Sequence, residues 1–188
     1  MASIFGHIAA SSTLGYSLFP KQTRSTTLLL AGFCAFAPDL DILAFRFSIS
    51  YESQWGHRGW THSIFFALVF GTLITLIFKA LSPKNTVSYK TGLWLVLSTL
   101  SHPLLDMMTN GGRGCALWWP YSTERLFFPV RPILVSPMSV GGFLGEWGAR
   151  VLLSELIWIG LPCLALALSL KWLRGTTAGS SPALPPMP

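Results

Sequence analysis

Gly56-His57-Arg58-Gly59-Trp60-Thr61-His62-Ser63 stands directly in front of an apolar run that carries no charge from residue 63 to residue 78. The octapeptide, called the histidine loop below, holds two of the four histidines of the chain, five residues apart. An uncharged apolar run of this kind is typical of a membrane-spanning helix. The histidine loop therefore predicts a polar site at the end of such a helix.

The composition points to the same environment. Hydrophobic residues make up 51% of the chain, charged residues make up 11%, and the mean hydropathy is +0.53. Soluble domains carry roughly a quarter of charged residues. The net charge of +6 could suggest a nucleic-acid partner, but such proteins cluster their basic residues on one face. Here the basic residues flank apolar runs, which excludes direct nucleic-acid binding and favours anionic membrane lipid as the partner.

The three cysteines do not suggest chemistry of their own. Cys34 and Cys163 lie inside apolar runs, and Cys115 lies in a predicted loop. No CxxC spacing is present, so neither a zinc motif of that type nor a disulfide framework is expected.

We predict an all-α fold, a polytopic transmembrane bundle of about five helices with a long loop between helices 4 and 5. Residues 1–174 form one membrane-embedded domain, and a Gly-, Ser- and Pro-rich tail, 175–188, is predicted to be disordered. Thr61 is a candidate N-cap for the third helix. The helices are predicted at 1–19, 26–37 with a continuation at 42–45, 63–78, 91–108 and 151–173, and the long loop at 109–150.

If all five helical segments cross the membrane, the charged residues are divided between its two sides. All five lysines would then lie on one side, with Lys84 among them, whereas the loops 46–62 and 109–150 would share the other side with six arginines. The lysine-rich side is the cytoplasmic one by the positive-inside rule, so the opposite side, which receives every histidine and aspartate, is expected to face outward.

Seven side chains are candidate metal ligands. His102 and Asp106 have i,i+4 spacing, which places both on one face of a helix. Each candidate alone is also compatible with a purely structural role, as a member of a hydrogen-bonded pair, as a helix cap or as an interfacial histidine. Their joint position at one end of an apolar bundle favours a shared site, because ionisable groups are costly in a membrane. The seven are His7, Asp39, Asp41, His57, His62, His102 and Asp106.

Imidazoles and carboxylates together suit one to three divalent ions, and zinc or manganese is the expected cofactor. Such ions activate water and promote phosphoryl displacement. We expect Asp39 or Asp41 to act as a base or metal bridge and Arg58 to stabilise developing negative charge. Arg113 and Arg125 could hold an anionic substrate group or could face solvent and lipid headgroups. Glu155, early in the last helix, is a candidate for an auxiliary polar role.

Three motifs carry a resemblance to a known family. They are Pro38-Asp39-x-Asp41, the HRGxTHS core of the histidine loop, and Ser101-His102-x3-Asp106. Together with His7 they make the chain similar, over about residues 1–165, to the LexA-binding, inner membrane-associated metal-dependent hydrolases of the YdjM type. The resemblance implies a multi-pass protein of the inner (plasma) membrane with these histidines and aspartates as ligands. Where relatives tend to carry Asp-Pro, this chain has Ser136-Pro137.

The leading functional hypothesis is a membrane-bound metal-dependent hydrolase that acts on a phosphoester of a lipid or lipid-linked substrate. One alternative is a non-catalytic membrane anchor that binds a soluble regulatory protein such as a repressor. Another is a metal-binding transporter, which is disfavoured because its ligands would lie near the middle of the membrane rather than toward one side.

Overall fold

The computed structural model of the protein describes residues 1–83 and 87–178. Within these ranges the chain is helical and has no β-strand, only the isolated bridges Thr109–Ile133 and Cys115–Leu126. This confirms the predicted all-α class. The α-helices are α1 (Ile4–Leu18), α2 (Ser25–Phe36), α3 (Ile64–Leu81), α4 (Tyr89–Met107), α5 (Val140–Phe143), α6 (Glu146–Glu155) and α7 (Leu161–Ala178).

Two of these helices continue in a different winding. The 3₁₀ helix Ala37–Phe47 extends α2, and a π-helical turn, Leu156–Gly160, joins α6 to α7. The change after α2 falls at Pro38, as expected, because proline lacks the N–H that an α-helix interior requires.

Three segments are long and apolar enough to cross a membrane: Ser25–Phe47, Ile64–Leu81 and Glu146–Arg174, with 23, 18 and 29 residues. A transmembrane helix needs about 20 predominantly apolar residues. The crossing of α1 and α4, which the sequence also predicted, stays a prediction.

Helix α4 is the centre of the bundle, because α1, α2 and α3 all pack on it. Its Trp94 is fully buried and donates its indole N–H to the carbonyl of Ser11 at 3.0 Å. Gly15 of α1 faces this ring so closely that a Cβ there would lie 2.1 Å from it. Small residues that let helices approach are characteristic of membrane bundles.

The helices run antiparallel, which gives the bundle two unlike ends. Lys21 and Arg24 line a cavity of about 400 Å³ at one end, together with Ser82 after α3 and Ser88 before α4. The start of α1, the end of the 25–47 segment, the histidine loop and the end of α4 therefore meet at the opposite end.

Some local predictions need correction. Ser63, rather than Thr61, caps α3 by accepting the N–H of Phe66 at 3.0 Å. Helices α5 and α6 begin inside the predicted 109–150 loop, so the last helical segment starts earlier than expected. Helix α7 also continues past residue 175. The rest of the predicted tail, 179–188, and Lys84 lie outside the described residues.

Candidate metal centre

Four of the predicted ligands converge at the end of α4. Nε2 of His62 lies 3.0 Å from Nε2 of His102 and 3.6 Å from both Asp39 Oδ1 and Asp106 Oδ2. Nε2 of His102 is 3.3 Å from Asp39 Oδ1 and 4.0 Å from Asp106 Oδ2. Four ligands at about 2.0 Å from a tetrahedral zinc would stand about 3.3 Å apart. We call Asp39, His62, His102 and Asp106 the central quartet.

Several buried polar atoms in and around the central quartet make no hydrogen bond to the described part of the chain, as expected for atoms that bind a cation. Asp39 Oδ1 and Asp106 Oδ2 are buried and make no hydrogen bond within the described residues. Buried polar atoms are otherwise almost always paired. Both ring nitrogens of His7 and Nε2 of His57, which lie next to the quartet, are also buried without a hydrogen bond in the described ranges.

His102 is oriented by a backbone carbonyl. Its Nδ1 lies 2.7 Å from the carbonyl oxygen of Ala35, to which it donates. This carbonyl is available because Pro38, three residues later, has no N–H to offer it in the 3₁₀ winding. With the proton on Nδ1, the lone pair of Nε2 points into the quartet. A metal-binding histidine usually donates its other ring N–H to a carbonyl or carboxylate oxygen in this way, which fixes the orientation of the ring.

His62 is oriented by the neighbouring Thr61 and Asp41. Thr61 donates its hydroxyl to Asp41 Oδ2 at 2.6 Å, so its oxygen accepts from His62 Nδ1 at 3.0 Å. The lone pair of His62 Nε2 therefore faces that of His102 Nε2. Two lone pairs 3.0 Å apart repel unless a proton or a metal cation lies between them.

Asp41 itself is saturated with donors. Its Oδ1 accepts from His57 Nδ1 at 2.6 Å, and its Oδ2 accepts from the backbone N–H of Arg58 at 3.0 Å as well as from Thr61. His62 Nδ1 approaches the same oxygen at 3.2 Å. Asp41 thus holds two histidines and the histidine loop in place. We call Asp41, His57 and Thr61 the outer support.

Arg58 links the quartet to the outer support. Its backbone has φ of 61°, in the left-handed region that non-glycine residues rarely occupy. This strained turn directs its N–H to Asp41, while its buried guanidinium donates to Gly111 O at 3.0 Å and Thr109 Oγ1 at 2.9 Å. Its Nε lies 3.0 Å from Asp106 Oδ2. Arg58 is therefore occupied inside the protein and compensates the charge of Asp106.

The other two candidate arginines are also engaged. Arg125 donates to the backbone carbonyls of Tyr51, Ser53 and His57 and so fixes the loop before the histidine loop. Arg113 forms an exposed ion pair with Glu52.

His7 completes the cluster from α1. Its ring stacks on His102 with centroids 3.8 Å apart, and its Nε2 lies 3.4 Å from Asp106 Oδ1. The start of α1 is anchored by Glu155, which accepts from the backbone N–H and the hydroxyl of Ser3. Glu155 immediately precedes the π-helical turn, a feature that often marks functional regions.

The cluster carries more negative than fixed positive charge. Three aspartates face the guanidinium of Arg58 and the amino group of Met1, which is 3.8 Å from Asp106. Burial by itself lowers the pKa of His62, but Asp41 and the other carboxylates outweigh burial and hold that pKa well above its ordinary value. The site therefore attracts a positive charge, either a proton or a cation.

Thus the structure brings all seven predicted ligands into one cluster, while their role as ligands stays a prediction. Sequence reasoning missed the Ala35 carbonyl and Thr109. A backbone acceptor leaves no signal in the side-chain pattern. Thr109 could have been suspected because it lies three residues after Asp106, just beyond the end of α4.

Several membrane-spanning segments and a buried His–Asp cluster at one end define a helical membrane protein with a candidate metal centre. The YdjM inner membrane protein family model matches residues 1–178, and the chain belongs to that family. It is 36% identical over 174 residues to inner membrane protein YbcI of Escherichia coli (strain K12), covering 93% of this chain and 99% of that protein. No solved structure matches the chain. The predicted inner-membrane location is thereby confirmed.

Proposed function

We propose that this inner membrane protein is a metal-dependent hydrolase whose divalent cation, zinc or manganese, is held by Asp39, His62, His102 and Asp106. The observation that carries the proposal is the convergence of Nε2 of His62 and Nε2 of His102 with Asp39 Oδ1 and Asp106 Oδ2, all within 4.0 Å of a neighbouring member of the central quartet. His7, beside Asp106, is the candidate for an additional ligand.

The finer topology belongs to the same proposal. Helices α1 and α4 cross the membrane together with the three longer segments, so that five crossings place the cluster at one membrane face. All lysines then lie on the opposite, cytoplasmic face, and the site faces outward.

The reaction proposed is hydrolysis of a phosphoester of a lipid or lipid-linked substrate. A divalent cation in the quartet would supply Lewis-acid chemistry, acidifying water and offsetting charge on a phosphoryl group. Asp39 is the base in this scheme, since it is the one quartet member that is not fully buried, at 8% exposed. It takes a proton from the attacking water as the new P–O bond forms, and it passes this proton to the leaving alcohol as the ester P–O bond breaks, which returns Asp39 to the carboxylate form.

The roles of the remaining residues follow from their contacts. Asp41 and Thr61 orient His62, and the carbonyl of Ala35 orients His102. Arg58 balances Asp106, so that a divalent cation does not have to offset every carboxylate.

The test is a comparison of the detergent-purified protein with His62→Ala. We expect the wild type to bind metal and to turn over phosphoesters such as bis-p-nitrophenyl phosphate or phosphatidylglycerol, and we expect His62→Ala to do neither. Ser11→Ala, at a buried position one helical turn from His7, is the control outside the ligand set. Carboxylesters serve as the comparison substrate class. Metal without turnover would favour the membrane-anchor reading, and ion uptake into sealed vesicles without hydrolysis would favour transport.

A further inference from the structure

A cavity of about 540 Å³ lies between the 25–47 segment and α3 and reaches the polar cluster. Its size falls in the range of small-molecule sites. Asp41 and Thr61 form part of its wall, and the other lining residues are apolar or aromatic. Since α2 and α3 pack mainly on α4, the cavity lies where these two segments leave a gap between them.

One wall of the cavity is a continuous series of aromatic contacts. Phe33 of α2 meets Phe70 of α3 with centroids 5.9 Å apart, and Phe70 stacks on Phe66 at 5.1 Å. Phe66 then contacts Trp60 edge-on at 5.1 Å, and Trp60 contacts Trp55 at 5.9 Å. The series runs from the interior of the bundle to tryptophans at the polar end, the position such rings prefer at a membrane interface.

The length of the cavity matches one leaflet of a bilayer. Phe33 and Asp41 are separated by about 15 Å along the segment, counting 1.5 Å per α-helical and 2.0 Å per 3₁₀ residue. Half of the hydrocarbon core is also about 15 Å. Asp41 lies toward the polar end of the Ser25–Phe47 span, and Phe33 lies deeper in the same span.

We propose that this cavity is a binding site for one acyl chain of a membrane lipid, with the terminal methyl at Phe33 and Phe70 and the headgroup end of the chain toward the histidine loop. This names the substrate class of the proposed hydrolase and rests on that function for the headgroup. The occupancy of the cavity by a chain does not depend on hydrolysis.

A hydrocarbon chain fits this cavity better than a peptide does. The deeper part of the wall, which includes Phe33, Phe66 and Phe70, belongs to segments that are long and apolar enough to span the membrane, where the surrounding solvent is lipid. A peptide would bring backbone N–H and C=O groups, which an aromatic wall inside a bilayer cannot satisfy. The polar wall atoms are already used, because Thr61 donates to Asp41 and Asp41 accepts from the histidine loop.

The experiment uses the full chain in phosphatidylethanolamine/phosphatidylglycerol vesicles that contain a phosphatidylethanolamine with a diazirine at the end of one acyl chain. After illumination, adducts are mapped by mass spectrometry. We expect adducts at Phe33 and Phe70 to exceed those at Leu68 and Leu73 of α3 by about tenfold, the effect of burying roughly two further methylene groups. The two leucines are 54% and 50% exposed and do not line the cavity.

A matched pair of variants sharpens the result. Ala44→Trp fills the cavity from its wall and should reduce the Phe33 and Phe70 adducts to the level at Leu68. Leu43→Trp adds the same ring to the preceding residue, which is exposed outside the cavity, and should leave the pattern unchanged. If Ala44→Trp does not fold, the wild-type distribution alone decides.

Adducts spread evenly over the lipid-facing residues would overturn the proposal and leave only surface lipid. His62→Ala separates this inference from the hydrolase. If the wild type shows no turnover but both it and His62→Ala give adducts at Phe33, the acyl-chain site is supported and hydrolysis is rejected. If the wild type shows turnover but its adducts are scattered, hydrolysis is supported and the acyl-chain site is rejected.

Discussion

The central quartet and the outer support are adjacent parts of one cluster, yet they use their polar atoms differently. In the quartet, Asp39 and Asp106 each keep a buried oxygen without a hydrogen bond. In the outer support, both oxygens of Asp41 accept protein donors. Carboxylates that look alike in the sequence therefore have different expected roles. Asp39 and Asp106 each keep an oxygen that accepts no hydrogen bond from the described residues and is proposed to bind the cation, whereas Asp41 orients the histidines.

The largest expected effect comes from the residue that joins the two parts. Arg58→Ala leaves Asp106 without its buried partner, and we expect the free energy of unfolding of the metal-depleted protein to fall by about 3–5 kcal/mol. Chemical denaturation in detergent measures it. Arg113→Ala is the matched control, because exposed ion pairs contribute at most about 1 kcal/mol. Equal losses in both variants would show that Arg58 is not a buried link.

Asp41→Asn tests the outer support. The amide keeps the shape but can no longer accept from every donor, so His57 and His62 lose part of their orientation. We expect metal affinity to fall by about 10–100-fold, with the stoichiometry at saturating metal unchanged. Competition with a chelating dye measures the affinity. Loss of all binding would instead make Asp41 a direct ligand.

Thr61→Val should have a smaller effect on the same measurement. It removes one of the donors to Asp41 and the acceptor of His62 Nδ1. We expect about a fivefold loss of metal affinity, corresponding to a net hydrogen-bond contribution of about 1 kcal/mol. Thr61→Ser keeps the hydroxyl and should restore the affinity. A serine variant as weak as the valine variant would point to packing of the methyl group instead.

Cys115→Ala should have no effect on metal binding. Burial raises the pKa of the Cys115 thiol to about 11, so the thiolate form that binds metals is not populated near neutral pH. Its thiol donates to the carbonyl of Pro103 rather than into the quartet. Metal analysis of this variant checks the expectation, and a reduced stoichiometry would add sulfur to the ligand set.

Much of the fold and the membership of the cluster could be predicted from the sequence because the signals are local. Apolar runs mark the helices, and the i,i+4 spacing places His102 and Asp106 on one face of α4. Because successive helices alternate in direction, the histidine loop, which precedes the third helix, lies at the same end as the C-terminus of the fourth. Each inference needs only neighbouring residues and the direction in which the chain runs.

The division between quartet and outer support could not be predicted, because it depends on contacts between distant segments. Asp39 and Asp41 are two residues apart in one 3₁₀ helix, so they differ only in what the histidine loop presents to each. Similarly, the role of Ala35 depends on a proline that removes one backbone donor and on an imidazole from α4 that replaces it.

The most direct test of the central claim is the metal content of the protein purified without chelators and then loaded with zinc or manganese. We predict tightly bound metal in the wild type, loss of this metal in Asp39→Asn and His102→Ala, and retention in Asp41→Asn at saturating metal. A wild type that binds no divalent ion, or quartet variants that bind it as tightly as the wild type, would contradict the assignment.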